Sequence, residues 1–418
     1  MAKQPVHNPA GFAVGMGVAC SLAILLSLLA SFNSRPAVLM FDENYYYPLA
    51  ERIMDGTYQD GYVVRPPLYP LFLAGIFGIF GKGFTSILII QSILRGLTVG
   101  LAGWLGRKYC DARAGLLTAI ILACYPLFIW TYTRFVSETI YLPLFLVSFA
   151  LLERALRSQI PRDMWTAGLG TGLAALARST SLIFGLVVAC WLAVRKTDGR
   201  RLSRPALKNV ALFLVGTLVI IAPWTVRNAV VHRTLMLVDS ATPFNLWLIT
   251  SGKNIKQVEE EWLTYPSQAE RQREGYRRWL EHLKSDPLFH LKRVPRVASA
   301  LLNPRRDPAL NSLAVIIHGT AVRHNQTLRR ILGIVVPVWL GLILGGGILG
   351  IVIVEKDRPR RDLVILLVCF FVLLHGMTLA RPRFLLPMNV VLAIYAGGLI
   401  SKVLSRWGLT RRNPPSPS

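Results

Sequence analysis

The sequence contains few of the residues that build metal sites and disulfide frameworks. It has five cysteines and seven histidines among 418 residues, and the cysteines lie in or beside apolar runs without the spacing of a metal site. We therefore expect the cysteines to be buried as small apolar side chains, with no disulfide framework. Acidic residues are also scarce, since 22 Asp and Glu stand against 47 Lys and Arg. In a soluble protein the net charge of +25 would suggest nucleic-acid binding. The positions of the basic residues therefore decide which class of protein this is.

Apolar residues, by contrast, are abundant. They make up 53% of the chain, and the mean hydropathy is +0.45. A soluble domain of this composition could not keep its surface wet, so the sequence predicts an integral membrane protein rather than a nucleic-acid-binding one. The predicted apolar helices cover residues 11–31, 66–80, 84–106, 112–131, 139–152, 164–179, 181–195, 207–224, 331–354, 362–379 and 386–403.

Basic residues cluster in short linkers between these stretches, and the positive-inside rule places such linkers in the cytoplasm. The linkers are residues 107–113, 153–162, 195–208, 355–361 and 402–412. All five fall on one side only if residues 66–80, which are short and begin with two prolines, enter the membrane without crossing it. We therefore predict an all-α, polytopic bundle of ten full spans plus one re-entrant or juxtamembrane helix, with an eleventh tilted span as the alternative. Both termini are expected in the cytoplasm.

This topology divides the chain into four parts. Residues 1–224 form an N-terminal transmembrane catalytic module that includes a first exterior loop at 32–65. The parts that follow are an exterior loop or small subdomain at 225–329, C-terminal transmembrane helices at 330–405 and a cytoplasmic, disordered tail at 406–418. The turn at 133–138 and the turn at 381–384 also face the exterior.

Three carboxylates lie in the predicted exterior segments. Asp42 and Glu43 follow the first span, and Glu138 opens a later apolar helix. A carboxylate there can act as a general base that accepts a proton from a hydroxyl attacking a sugar C1. The alternatives are helix capping for Asp42 and a first-turn acid favoured by the helix dipole for Glu138.

The sequence leaves open whether the protein uses a metal ion. Asp42 and Glu138 could share a divalent cation such as Mg²⁺ or Mn²⁺. No histidine accompanies them in the exterior segments that hold them, so a dedicated zinc site is not expected.

Arginines and tyrosines in the same segments are candidates for holding an anionic, sugar-bearing substrate. Guanidinium matches phosphate oxygens and would stabilise a leaving phosphate, although the same residues could anchor at lipid head groups. Tyrosine rings could stack on sugar faces or belong to the aromatic belt of the membrane interface. The candidate phosphate-binding residues are Arg65, Arg178, Arg227, Arg381 and Arg383, and the candidate substrate-lining residues are Tyr45, Tyr46 and Tyr69.

The ordered set of these motifs resembles the GT-C superfamily of membrane glycosyltransferases, in the bacterial branch near the protein O-mannosyltransferases and the lipid A aminoarabinose transferase. The matching stretches are Phe41-Asp42-Glu43, Arg65-Pro66-Pro67-Leu68-Tyr69-Pro70, Ser137-Glu138, Ala177-Arg178-Ser179-Thr180, Pro223-Trp224 with Arg227-Asn228, and Arg383-Phe384. The resemblance implies inverting transfer of a sugar from a polyprenyl-phosphate donor to a glycan, lipid or protein at the exterior face of the bacterial inner membrane. It also implies that Asp42 is the catalytic carboxylate and that Glu138 is the second acid.

A transporter or flippase of a lipid-linked anion is the alternative, because basic exterior residues would suit it too. Transporters of this kind show repeated halves with interrupted helices, and the sequence has no internal repeat. The acids also cluster near one membrane face rather than at the midplane. The enzyme hypothesis is therefore favoured, with the identity of the sugar and the acceptor left open.

Overall fold

The computed structural model describes residues 9–33, 42–58, 64–195, 203–302, 315–318, 321–324, 326–378 and 381–410. These residues form seventeen α-helices, one 3₁₀-helix at Pro382–Leu385 and a short antiparallel hairpin in which strand β1 (Val315–His318) pairs with strand β2 (Ala321–His324). The helices are α1 Pro9–Asn33, α2 Glu43–Met54, α3 Leu68–Phe80, α4 Phe84–Tyr109, α5 Ala112–Ala123, α6 Pro126–Tyr132, α7 Glu138–Ser158, α8 Pro161–Ala177, α9 Thr180–Val194, α10 Arg204–His232, α11 Ala241–Ser251, α12 Ile255–Thr264, α13 Gln268–Ser285, α14 Phe289–Leu302, α15 Gln326–Ile353, α16 Arg358–Met377 and α17 Leu386–Thr410.

Every predicted apolar stretch lies on helices of this bundle, which confirms the all-α membrane class. Within the described residues, six helical segments are long and apolar enough to cross a membrane: α1, α4, α7, α10, α15 and residues 382–407. Helices α5 and α6 meet at 64° and make a seventh crossing if they count as one bent span. The other apolar helices are shorter or begin with charged residues. Helix α3, with 13 residues, is too short for an ordinary span, which fits the predicted non-crossing segment.

The predicted exterior subdomain contains helices α11 to α14 and the hairpin. Its charged stretch at 258–284 is divided between α12 and α13. Pro266 lies in the break, and proline interrupts a helix by removing an N–H donor. Phe244, Trp247 and Trp262 are buried together and form a small apolar core beneath this region.

Close packing of α8 against α10 depends on glycine. A Cβ at Gly168 would lie 2.1 Å from the Phe213 oxygen, and one at Gly216 would lie 2.5 Å from the Trp165 oxygen. Small residues at a helix crossing let the two backbones approach and make the dispersion contacts that hold helices together in lipid. This contact fixes the end of α10 relative to the break between α8 and α9.

A buried carboxylate joins three of the predicted cytoplasmic linkers. Glu153 is 1% exposed and pairs with Lys108 Nζ at 3.1 Å, with Arg157 Nη1 at 3.3 Å and with Arg360 Nη2 at 3.1 Å. These partners come from α4, α7 and α16. The three basic linkers therefore meet at one end of the bundle, as the charge pattern predicts.

The break between α5 and α6 is held by a buried arginine. Arg95 of α4 is fully buried and donates to the carbonyl oxygens of Ala23, Leu122 and Ala123 and to the Ser27 hydroxyl. Helix α5 ends at Ala123, so two of these carbonyls belong to its last turn, where carbonyls lack the amide that a continuing helix would supply. A guanidinium placed there satisfies them and complements the negative end of the helix dipole.

Replacing Arg95 by methionine should therefore destabilise the bundle. We expect Arg95→Met to lower the free energy of unfolding by about 3 kcal/mol, because several buried carbonyls would lose their donor. Thermal unfolding of the purified protein in one detergent measures the effect. Arg107→Met, at an exposed position of the same helix, is the control and should change stability by less than about 1 kcal/mol. Equal melting temperatures for the two variants would contradict this role of Arg95.

Candidate active site

A polar cavity of about 200 Å³ lies where all four predicted exterior segments meet. The first loop contributes Asp42 and Arg65, and the turn before α7 contributes Ser137. The exterior subdomain contributes residues 239–246, and the segment before α17 contributes Arg381 and Arg383. Residues 178–180, between α8 and α9, complete the wall. The convergence of segments that lie hundreds of residues apart makes this cavity the candidate active site.

Asp42 lies at the N-terminus of α2, but its side chain does not cap that helix. Instead its carboxylate accepts a hydrogen bond from Nη2 of Arg383. Burial raises the pKa of the Asp42 carboxyl, but the charges of Arg383 and Arg65 outweigh burial and bring the pKa down to about 2. Asp42 is therefore ionised at any physiological pH, and it is a weak base while Arg383 remains in contact.

Arg383 also reaches the second predicted acid. Its Nε atom is 3.5 Å from Oε1 of Glu138, and Arg178 Nη1 is 2.6 Å from the same oxygen. Glu138 is 2% exposed and stands behind the lining residues at the first position of α7. One guanidinium thus links the two carboxylates that the sequence singles out.

Four of the five predicted phosphate-binding arginines line the cavity: Arg65, Arg178, Arg381 and Arg383. The fifth, Arg227, is not among the lining residues. Its guanidinium lies 4.6 Å from the ring centre of Tyr58 and 4.7 Å from that of Trp224, and its Nη1 contacts the Asn228 side chain at 3.2 Å. The structure therefore does not bring Arg227 to the predicted phosphate site, because aromatic rings hold it elsewhere at the end of α10.

The three predicted substrate-lining tyrosines have different positions. Tyr46 lines the cavity. Tyr45 lies beneath Arg65, whose guanidinium is 5.3 Å from the ring centre. Tyr69 is fully buried, and its hydroxyl donates to Oε1 of Gln91 at 2.8 Å. Tyr69 packs edge-on against Tyr46, so it supports the cavity wall without lining it.

Glu43, the neighbour of Asp42, points away from the cavity. Its carboxylate is 1% exposed and accepts hydrogen bonds from Arg134 Nη2 at 2.7 Å and from the Phe135 amide at 3.2 Å. These contacts fix α2 against the turn before α7. The geometry favours a structural role for Glu43 over the predicted catalytic one, since successive helical residues project in directions about 100° apart.

Two titratable residues that line the cavity are not among the residues predicted from the sequence. His375 of α16 lines the wall with its ring 5.4 Å from that of Phe384. Asp239 enters the cavity from the exterior subdomain. Its only sequence signal is an isolated acid directly after the apolar run 235–238. Burial raises the pKa of the Asp239 carboxyl, in contrast to that of Asp42.

The donor set does not fit a divalent cation. In the described part of the chain no group of three His, Cys, Asp or Glu side chains is arranged to hold a metal. Asp42 and Glu138, the two acids that could share one, are both bound to the guanidinium of Arg383. A hard cation such as Mg²⁺ needs about six oxygen ligands, and here an arginine stands between the two carboxylates.

The fold is similar to that of solved oligosaccharyltransferase structures, at low sequence identity. The chain superposes on the oligosaccharyltransferase AglB of Archaeoglobus fulgidus, solved with an inhibitory peptide and a dolichol-phosphate, with a TM-score of 0.54 and 14% identity, covering 97% of this chain and 52% of that one. The same archaeal enzyme solved with Zn and sulfate gives a TM-score of 0.55 at 14% identity, and the match covers 94% of this chain and 50% of that one. The chain thus spans about half the length of these relatives. ArnT from Cupriavidus metallidurans bound to undecaprenyl phosphate gives a TM-score of 0.41 at 14% identity, and the match covers 98% of this chain and 82% of that one.

Part of the chain also matches a sequence family. Residues 64–226 match the family described as dolichyl-phosphate-mannose-protein mannosyltransferase. The match includes Arg65, Glu138 and Arg178, whereas Asp42, Asp239 and Arg383 lie outside it. No curated protein matches the chain.

The two adjacent acids should differ in their effect on stability. Glu43→Gln leaves Arg134 buried without its counter-charge, and we expect it to lower the free energy of unfolding by about 3 kcal/mol. Asp42→Asn should cost about 1 kcal/mol, because the Asp42 side chain is 28% exposed and Arg383 keeps Glu138 as a partner. Chemical unfolding of both variants beside the native protein, in one detergent, measures the difference. A larger loss for Asp42→Asn would contradict the assignment of Glu43 as the structural acid.

Proposed function

We propose that this chain is an inverting glycosyltransferase that moves a sugar from a polyprenyl-phosphate donor to an acceptor. We further propose that it lies in the bacterial inner membrane with both termini in the cytoplasm and its cavity facing the exterior. The observation that carries the proposal is the cavity itself, in which Asp42 stands among four arginines. A carboxylate beside several guanidinium groups suits a reaction that releases a phosphate from a sugar carbon.

The charge of the cavity favours a monophosphate donor. Among the described residues, the four lining arginines face three carboxylates, those of Asp42, Glu138 and Asp239, which leaves an excess of one positive charge. A polyprenyl-phosphate sugar is a phosphodiester with one negative charge and would balance this excess. A diphosphate carries more negative charge than the cavity offsets.

The resting ion pair suggests how donor binding would prepare the reaction. A phosphate in the cavity competes with Asp42 for Arg383, and a carboxylate that loses this contact becomes a stronger base. Asp42 then accepts the proton of the acceptor hydroxyl while the hydroxyl oxygen bonds to C1 of the sugar. The bond from C1 to the phosphate oxygen breaks, and its electron pair leaves with the phosphate, whose growing charge the arginines stabilise. Attack opposite the leaving group inverts the configuration at C1.

The comparisons support a lipid donor and suggest which sugar to try first. AglB, which shares the fold, was solved with a dolichol-phosphate. The family that matches residues 64–226 is described by its use of dolichyl-phosphate mannose. Polyprenyl-phosphate mannose is therefore the first donor in the tests below.

The test is release of polyprenyl phosphate by the purified protein in nanodiscs. Polyprenyl-phosphate sugars, mannose first, are supplied with soluble hydroxyl acceptors, and the lipid product is measured by mass spectrometry. We expect release by the native chain and a loss of at least about 100-fold in Asp42→Asn, as is typical when a general base is removed. Glu43→Gln is the matched control and should retain activity in proportion to its folded fraction.

Retained activity in Asp42→Asn would contradict the role of Asp42. No release from any donor, together with movement of the donor between bilayer leaflets in proteoliposomes, would contradict the enzyme and favour a flippase.

The arrangement of Arg383 also predicts that transfer does not need a divalent cation. We expect activity to be unchanged, within about twofold, after EDTA treatment and passage over a chelating resin, because a guanidinium already joins the two candidate ligands. Activity measured with and without added Mg²⁺ or Mn²⁺ checks this. Loss of activity on chelation with full recovery on adding either ion would contradict it.

A further inference from the structure

The segment that delivers Asp239 is fixed to the end of α10 by side chains. Trp224 Nε1 donates to the Val238 oxygen at 2.8 Å, and Thr225 Oγ1 donates to the Leu237 oxygen at 2.7 Å. The Asn228 amide, which is fully buried, donates to the Val238 oxygen at 3.2 Å. The Trp-Thr-Val-Arg-Asn motif, in which the sequence suggested a phosphate-binding arginine, thus acts through its other members as a clamp on residues 236–238.

The same segment is also joined to the first exterior loop. The Ser240 amide donates to the Val64 oxygen at 3.1 Å, and the Val64 amide donates to Ser240 Oγ at 3.0 Å. Asp239 and Arg65 are therefore held side by side on two paired segments that reach the cavity. The Asp239 carboxylate accepts a hydrogen bond from the Ala241 amide at 3.1 Å. Because its segment is held from both sides, the carboxylate has a defined position in the wall.

The wall that carries Asp239 differs chemically from the rest of the cavity. Residues 239–246 include Asp239, Thr242 and Asn245, all of which line the cavity, and they include no basic residue. Asp239 lies just before α11, and Thr242 and Asn245 are three residues apart within it, on one face of the helix. The arginines come from the other segments. The cavity therefore combines guanidinium groups suited to phosphate with one segment, beside Arg65, whose own polar groups are a carboxylate, a hydroxyl and an amide.

We propose that Asp239, Thr242 and Asn245 form the acceptor subsite and that the acceptor presents several neighbouring hydroxyl groups, as a saccharide does. The inference rests on the proposed sugar transfer. A carboxylate accepts hydrogen bonds from two hydroxyls, an amide both donates and accepts, and a threonine hydroxyl does either. A single serine or threonine hydroxyl would use only one of these groups. Asp239 acts here as a positioning residue, which holds the acceptor while Asp42 receives the proton.

The experiment compares two acceptors of similar chain length, octyl mannoside and N-octanoyl-threonine amide, with polyprenyl-phosphate mannose as donor and the protein in nanodiscs. We expect transfer to octyl mannoside. In Asp239→Asn the KM for this acceptor should rise about 10- to 100-fold, because a charged hydrogen-bond acceptor is lost. The donor KM should be unchanged, and kcat at saturating acceptor should fall less than about threefold.

Two further variants separate positioning from folding. Trp224→Phe removes one hydrogen bond of the clamp but keeps most of the ring, and it should raise the acceptor KM about fivefold without changing the donor KM. Asp286→Asn alters a carboxylate of the same subdomain that pairs with Lys292 at 2.7 Å and should change neither KM. If Asp239→Asn fails to fold, the acceptor KM of Trp224→Phe tests the subsite in its place.

The outcomes distinguish this inference from the proposed function. Transfer with an acceptor KM that neither Asp239→Asn nor Trp224→Phe changes would overturn the subsite and leave the function intact. An increase in the donor KM in Asp239→Asn would place this residue on the donor side, which also overturns the subsite. Transfer to the threonine probe alone would overturn the saccharide class. No donor turnover by the native chain would contradict the proposed function, and the inference with it.

Discussion

The ion pair between Arg383 and Asp42 is the contact on which the cavity depends. It joins residues 341 positions apart and brings the start of α2 to the segment before the last helix. The same guanidinium approaches Glu138, so three elements share one charge. Because an isolated charge at membrane depth is costly, each of these groups is held where it can meet its partners. The ion pair thereby brings the start of α2, the start of α7 and the segment before α17 together at the cavity.

The cost of an isolated buried charge also distinguishes polar groups that hold the helices together from polar groups that could take part in a reaction. Arg95 and Glu153 are each buried and bound to several partners, and neither lies in the cavity. Their contacts fix the break between α5 and α6 and the opposite end of the bundle. In the cavity, by contrast, the cations exceed the anions, and a carboxylate with a raised pKa faces one with a lowered pKa. Unequal environments of this kind are typical of sites that bind and transform a charged substrate.

The sequence predicts the bundle well because apolar length and basic linkers follow directly from the physics of the bilayer. It predicts Asp42, Glu138 and four arginines because polar residues at membrane depth are rare enough to stand out. It cannot separate Asp42 from Glu43, since that choice depends on the rotation of α2 within the folded protein. At the end of α10 it singles out Arg227, whereas the contacts of Trp224 and Asn228 depend on a loop that only tertiary structure brings near. Asp239 is missed for the same reason.

In the proposed reaction, the ion pair between Arg383 and Asp42 would also limit wasteful hydrolysis of the donor. While Arg383 contacts Asp42, the carboxyl has a pKa of about 2 and takes a proton from water or an alcohol poorly. A bound phosphate that draws Arg383 away restores basicity only when the donor is in place. The reverse also holds, because an Arg383 still paired with Asp42 has less attraction left for phosphate. In the proposed reaction, donor binding and activation of the base would therefore be coupled through one side chain, that of Arg383, while Asp239, a carboxylate outside that ion pair, would hold the acceptor.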